Sequence, residues 1–533
     1  MILTENLYRS YLDLRWHFDP AAGTAAGITS VDARLGQFDV ESMRAHIAAF
    51  RAMAGAIEEV EVDDTPEEID RTAVLDDIRV AIFRFEHEKP HVRNPGFWLS
   101  HLFQALFGLL SRRGDHGPLA PAALARLAAT PAFLQSARAT IDQPPRVFLD
   151  TAIGMAEGGR GLIRDTARVF GEAAPDQADV IQAAADAAEA AVAIFLAQLK
   201  HEIIPNADEL AFAVGEDQFN RRLHHEHALL STAPELYRYG LHLMDEVEAE
   251  IVVLARGIDP NAPWRTVVER LRQNAPAPAD LVGAFRREMD RARGFVEERE
   301  LVTIPQGALE VVETPDFLRP ILPFAAYQPP EVYSADRTGY FYVTSPESGK
   351  TAADSCSWEL GATALHEGYP GHHLQMLTAQ ALPAEIRRVL WTPVTVEGWA
   401  LYCEELLAEQ GFFRSVEERL FQRIHLLWRA VRIVLDVGLH TRGMSPAEAI
   451  DMLVEKVAMN REKAAAEVSR YCAYPTYQLS YAVGRRELLH LRQAYQEREG
   501  GAFDLRRFHD EVLSYGGLPV SLIRWGMDLG IDE

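Results

Sequence analysis

Apolar residues recur at spacings of three and four along nearly the whole chain, and that period commits it to packed amphipathic helices rather than to an extended sheet. The pattern is clearest around residues 40–60, 76–87, 121–140, 174–200, 232–256 and 416–440, with Pro, Gly, Asp and Asn between the runs. Two stretches depart from it. LEVVET (Leu309–Thr314) and GYFYVTS (Gly339–Ser345) are β-branched and aromatic and are flanked by turn residues, so they read as strands. Both lie just upstream of the segment richest in candidate chemistry.

That segment, ELGATALHEGYPGHHLQMLTAQ (Glu359–Gln380), carries His366, Glu367, His372 and His373. In an HExxH helix two histidines one turn apart face one metal while the glutamate between them handles water. Here Pro370 stands four residues after His366. On a regular helix at about 100° per residue, the seventh residue returns to the starting face and the sixth does not, which favours His373. Pro370 and Gly371 break the helix, however, and a break can bring His372 back toward the metal. Both histidines stay open on spacing alone. A third ligand is offered by VTVEGWALYCEEL (Val394–Leu406), where Glu397 follows His372 by 25 residues among neighbours that look buried. Two imidazoles, a carboxylate and an open position suit Zn2+.

Length and charge limit the rest. With 53 Lys and Arg against 78 Asp and Glu in 533 residues, the formal charge is −25, which disfavours nucleic acid and anionic membrane surfaces as partners. Three scattered cysteines, Cys356, Cys403 and Cys472, suggest no disulfide framework, and the acidic start MILTENLYRSYLDL does not read as a secretory signal. No run of about 18 apolar residues suggests a membrane span. These readings place the chain in the cytoplasm. Candidate joints are Ser111–Pro121, Ala275–Asp280 and Leu318–Arg337. The simplest partition is a helical N-terminal half, 1–270, and a catalytic half, 271–533, continuous as one unit.

HEGYPGHHLQ and EGWALYCEEL resemble the hallmarks of the domain-of-unknown-function 885 family, a group similar to zincin-type metallopeptidases and to the thermostable carboxypeptidase Taq group. RTGYFYVTSP (Arg337–Pro346), RIVLDVGLHTRGMSPAEAI (Arg432–Ile450), RYCAYPTYQLSYAVG (Arg470–Gly484) and FHDEVLSYGGLPVSLI (Phe508–Ile523) extend the likeness. PTYQLSY departs from it where relatives more often carry a PGQ segment, which leaves the role of Tyr477 open. The resemblance implies a mainly α, large helical zincin-like fold with a small β element beside the metal helix. It also implies His366, His372 and Glu397 as zinc ligands and Glu367 as general base.

Zincin chemistry needs an oxyanion donor, for which Tyr481 is the first candidate and His440 the second. Arg432, Asp436 and His440 share a helix face, and Asp436 is the candidate to orient a ligand imidazole. Arg470 and Arg485 are candidates to hold a substrate carboxylate, and the strand around Phe341 to lay a substrate out along a sheet edge. The expected substrate is a small peptide or amide, cleaved in carboxypeptidase-like fashion, with a homodimer left open. Two alternatives stand beside this: a metallohydrolase specialised for one amide, ester or isopeptide, and a non-catalytic binding protein that retains the metal site. His224, His225 and His227 form a second histidine group with no carboxylate segment to complete it.

Overall fold

The computed structural model describes residues 2–62, 64–274, 280–315, 319, 325–345 and 356–530. It is mainly α, as the periodicity predicts, with one three-stranded sheet among the described residues. The described chain divides into two units, the first running to Phe212 and including Glu331–Ala335, the second comprising the remainder from Ala213. The division therefore falls near 212 and not at the expected 270. The reason is packing: the helices Glu216–His227 and Ala233–Ile258, just after 212, pack on the helix Val416–Thr441 of the second unit. Of the candidate joints, 275–279 lies outside the described residues, and Ser111–Pro121 falls inside the first unit.

In the first unit α1 (Pro95–Leu110), α2 (Ala120–Thr140), α3 (Arg146–Ala173) and α4 (Ala178–His201) pack in pairs, α4 against α2 and α3, and α3 against α1. By length and composition α4 is apolar enough to cross a membrane. In this unit Ile181, Ala185, Ala188, Val192, Phe195 and Leu199 are buried at helical spacing along one of its faces.

The second unit holds α5 (Glu216–His227), α6 (Ala233–Ile258) and α7 (Leu281–Glu298), then the sheet of β1 (Ala308–Glu313), β2 (Ala325–Gln328) and β3 (Thr338–Val343). β1 and β3 are the two strands expected from composition, whereas β2 lies in the Pro-containing stretch read as irregular. The order is β1-β3-β2, β3 being parallel to β1 and antiparallel to β2. β3 is thus the middle strand, its backbone groups spent on both neighbours, and it has no free edge for a substrate. This corrects the role expected of Phe341, which is 1% exposed and packs on Phe285 at 5.1 Å between ring centroids.

Six helices complete the frame: α8 (Leu360–Glu367), α9 (His372–Gln380), α10 (Pro393–Glu409), α11 (Val416–Thr441), α12 (Arg461–Ala473) and α13 (Ser480–Glu499). α11 starts where Ser415 accepts a hydrogen bond from the Glu418 N–H at 3.2 Å, and its interior is buried nearly all round. It packs on α6, while α10 packs on α13. The α10–α13 crossing rests on two glycines. A Cβ on Gly398 would lie 2.5 Å from Gly484 Cα, and one on Gly484 would lie 1.9 Å from the Val394 carbonyl oxygen. Only glycine allows the backbones this close, and the crossing seats the residues before α13 beside Glu397.

Candidate metal centre

The expected break between the two histidines is real. α8 ends at Glu367, the chain leaves helical geometry through residues 368–371, and α9 begins at His372. The Gly371 N–H reaches back to the Leu365 carbonyl at 3.1 Å, and a Cβ on Gly371 would sit 1.9 Å from the His366 carbonyl oxygen, so the turn needs glycine there. α10 grips the same turn, Trp399 Nε1 donating to the Pro370 carbonyl at 2.8 Å and Cys403 Sγ at 3.6 Å. The result brings the His366 and His372 rings to 4.8 Å at 89°.

Glu397 on α10 completes the group. Its Oε2 lies 3.3 Å from His372 Nε2 and 3.8 Å from His366 Nε2, and one ligand-type atom from each of the three residues lies within 4.8 Å of the others. Ligands about 2.0–2.1 Å from a tetrahedral zinc stand roughly 3.4 Å apart, so this donor set has the right chemistry and the right spacing. His373 is elsewhere: fully buried, it faces the Tyr327 hydroxyl on β2 at 3.0 Å through Nδ1. Counting along an unbroken helix favoured it because the count assumed residues 368–371 keep the helical turn.

The buried charges match a cation site. Burial by itself would lower His366, but Glu397 and Glu404 raise it to about 9. Burial likewise opposes the charge on Glu397, yet His366 and His372 hold it well below the usual carboxylate range. A metal held by these groups would replace the proton that the carboxylates draw to His366. His372 Nδ1 and Glu404 Oε2, neither of which faces Glu397, are buried with no hydrogen-bond partner among the described residues.

The residue that holds a candidate ligand is Glu404, not Asp436. Two turns along α10 from Glu397 and 1% exposed, Glu404 accepts from His366 Nδ1 at 2.9 Å. Asp436 instead accepts from the Thr476 and Leu479 backbone N–H groups at 3.1 Å each. Burial pushes its carboxyl up to about 7 against those donors. His440, the second oxyanion candidate, is buried with Nε2 3.0 Å from the Tyr471 carbonyl, and Arg432 pairs with Glu467 at 3.0 Å. Their shared face braces loops and α12, so neither Asp436 nor His440 reaches the metal position.

Two tyrosines stand at the site. The Tyr477 hydroxyl donates to Glu397 Oε1 at 2.8 Å, a contact that the departure at PTYQLSY concealed. Tyr481 is buried, its ring 6.3 Å from that of Tyr477 and beneath the Arg432 guanidinium at 4.8 Å. Burial and then Glu397 hold the hydroxyls of both above the ordinary tyrosine pKa, keeping them protonated donors. Glu367 ends α8 beside His366, partly exposed, and no protein donor among the described residues engages its carboxylate.

The expected carboxylate-binding arginines are both spent. Arg470 pairs with Glu467 at 2.8 Å, and Arg485 with Glu405 at 3.1 Å. Arg429 on α11 differs from them. Its NH1 bonds its own helix at the His425 carbonyl at 3.2 Å, its Nε is buried without a partner, and its Cζ lies 5.8 Å from the Tyr481 ring. His227, from the second histidine group, is buried between two threonine hydroxyls and has no metal-type neighbours.

A family sequence model described as "Bacterial protein of unknown function (DUF885)" matches residues 20–527. No curated protein matches the chain. Two solved structures overlay on almost all of it. A "putative lipoprotein of unknown function" from Shewanella oneidensis is 21% identical with a TM-score of 0.80, 98% of each chain being covered. A "putative lipoprotein" from Colwellia psychrerythraea is 18% identical with a TM-score of 0.82, covering 99% of this chain and 98% of its own. At these identities the likeness shows the fold alone. The cytoplasmic expectation is overturned by the same finding, since both carry the name of a membrane-anchored class. The cysteines were weak grounds for it: all three are buried and free, which shields them in any compartment. The likeness to zincins and to the carboxypeptidase Taq group still rests on the motifs.

Proposed function

The chain belongs to the DUF885 family of bacterial proteins, and from that premise we propose that it is a zinc-dependent hydrolase cleaving an amide bond in a small, peptide-like substrate. The observation that carries this reading is the convergence of His366, His372 and Glu397 within 4.8 Å beside a glutamate that no protein donor holds. When bound, zinc would polarise a carbonyl oxygen and make water a competent nucleophile near neutral pH.

The chain's own groups do the rest. Glu367 takes the proton that water loses as its oxygen bonds to the carbonyl carbon, and returns it to the nitrogen as the C–N bond breaks. Tyr481, kept protonated by its surroundings, donates to the oxygen on which charge develops. Glu404 fixes the ring of His366 through Nδ1 and leaves Nε2 turned toward Glu397. Arg429 supports the carboxypeptidase-like form of the reading. Among the described residues no carboxylate lies within ion-pair distance of this guanidinium near Tyr481, Glu404 feeling its charge only at longer range, which leaves it donors to offer a substrate carboxylate.

The test joins elemental analysis to cleavage of mixed short peptides. The reading predicts one zinc per chain and hydrolysis that His366→Ala and Glu397→Ala abolish by removing zinc, and that Glu367→Gln abolishes while zinc stays. Zinc-free protein with undiminished hydrolysis, or a fully active Glu367→Gln variant, would sink it.

A further inference from the structure

The histidine-rich helix α5, which contributes nothing to the metal cluster, grips the segment that carries Tyr477. His227 lies between Thr392 Oγ1 at 2.7 Å and Thr476 Oγ1 at 3.0 Å, and Arg222 NH1 donates to the Pro475 carbonyl at 3.0 Å. Thr392 is the residue that begins the helix of Glu397, and Thr476 is next to Tyr477. One imidazole therefore ties together the supports of both partners in the Tyr477–Glu397 hydrogen bond.

The segment needs holding. Thr476 has φ +67°, in the left-handed region that β-branched residues rarely enter. It keeps that conformation where the Asp436 carboxylate collects the N–H groups of Thr476 and Leu479 and His227 fixes its hydroxyl. Backbone held in a sparsely populated conformation by several converging contacts is common at functional sites. Burial lowers the His227 pKa to about 4, so the ring that bridges the two threonines is neutral, one nitrogen donating to a hydroxyl and the other accepting from one. The product of these contacts is a hydroxyl aimed at Glu397 Oε1, while Oε2 faces the two histidines.

We propose that Tyr477 is a positioning residue for the metal site, holding Glu397 to coordination through one oxygen, and that α5 sets the hydroxyl in place through a clamp of His227, Thr392, Thr476 and Asp436. The inference rests on the zinc reading above and adds to it the group that decides how the carboxylate binds. The clamp also gives the second histidine group and the Asp436 face one shared task. Outer partners of metal ligands typically change affinity 10- to 100-fold when removed.

The experiment uses the full-length chain and zinc itself, with affinity read by competition against a chromophoric chelator and coordination by the visible spectrum of the cobalt-substituted protein. Tyr477→Phe should weaken zinc about 10- to 100-fold and change the cobalt band as Glu397 takes up a second contact. Thr476→Val and His227→Leu should each weaken zinc in the same direction but less. Either one combined with Tyr477→Phe should add little, since both act through that hydroxyl. His509→Gln removes a buried histidine of the same unit that touches neither Glu397 nor the clamp, and should lower the melting temperature with zinc affinity unchanged. A zinc affinity and cobalt spectrum unmoved by Tyr477→Phe overturn the proposal and leave the zinc reading standing. Fully additive losses overturn the clamp. Should the clamp variants fail to fold, Tyr477→Phe still decides. Failure of the wild-type chain to bind zinc overturns both.

Discussion

Two buried polar clusters in the second unit look alike in sequence and differ in what their atoms face. On α8, α9 and α10, His366, His372 and Glu397 turn ligand atoms toward one point at separations of 3.3 and 3.8 Å, longer than good hydrogen bonds. On α11, Arg432, Asp436 and His440 have protein partners in Glu467, two backbone N–H groups and the Tyr471 carbonyl. Regular spacing on one helix brings the second set together, whereas a helix break and a second helix assemble the first. Only the first leaves them converging without satisfying one another, and that convergence separates a site from a brace.

The sharpest way to break the contrast is at the base. Glu367→Gln keeps size and polarity but cannot take a proton, so kcat should fall about 10²- to 10⁴-fold with zinc content unchanged. An unchanged kcat would reduce the first cluster to a structural one.

On the α11 side, Arg432→Met should leave Glu467 buried with weaker compensation and cost about 3 kcal/mol in denaturant unfolding, with zinc stoichiometry unaffected. Loss of zinc at unchanged stability would erase the distinction between brace and site. Glu404→Gln tests the boundary of the first cluster: it should weaken zinc about 10- to 100-fold by freeing the His366 ring, read by chelator competition. An effect as large from His440→Gln would mean that the two clusters act together.

A smaller effect comes from proton linkage. Burial leads in lowering His91, His227, His373 and His509 to about 4 each. A histidine depressed on folding stabilises the fold above its unfolded pKa of about 6.5, and that contribution is lost as pH falls through the folded value. Asp436 works the other way, raised to about 7, so its contribution is present in acid and is lost as pH rises through that value. Four histidines outweigh one aspartate, and urea midpoints should drop between about pH 6.5 and 4. Replacing His509 by Gln should flatten this limb slightly, and a midpoint that rises with acid would contradict the assignment.

What could be read from sequence follows the range of the interactions. The helices, β1, β3 and the break at Pro370 and Gly371 depend on neighbours within a turn or two, and the structure has them where period and turn chemistry place them. The choice between His372 and His373 depended on how the chain leaves the helix, which spacing cannot give. Glu404, seven residues beyond Glu397, had a signal in its spacing, since two turns return to the same face. Sheet order had none: AAYQ of β2 is too short and too plain to read as a strand, so the middle strand looked like an edge. Arg470 and Arg485 flank Tyr481 in sequence but are already paired, Arg470 with Glu467 three residues back on its own helix, which spacing could have shown, and Arg485 with Glu405, 80 residues away. Tyr477 depended on contacts to its neighbour Thr476 from residues 227 and 436, 249 and 40 residues away.

The most direct test of the central claim is the zinc content of the purified full-length chain beside four single variants. The account predicts one zinc per chain in the wild type and in His373→Gln, and none in His366→Ala, His372→Ala or Glu397→Ala. A wild-type chain without zinc, or a zinc that survives loss of Glu397 but not of His373, would contradict it.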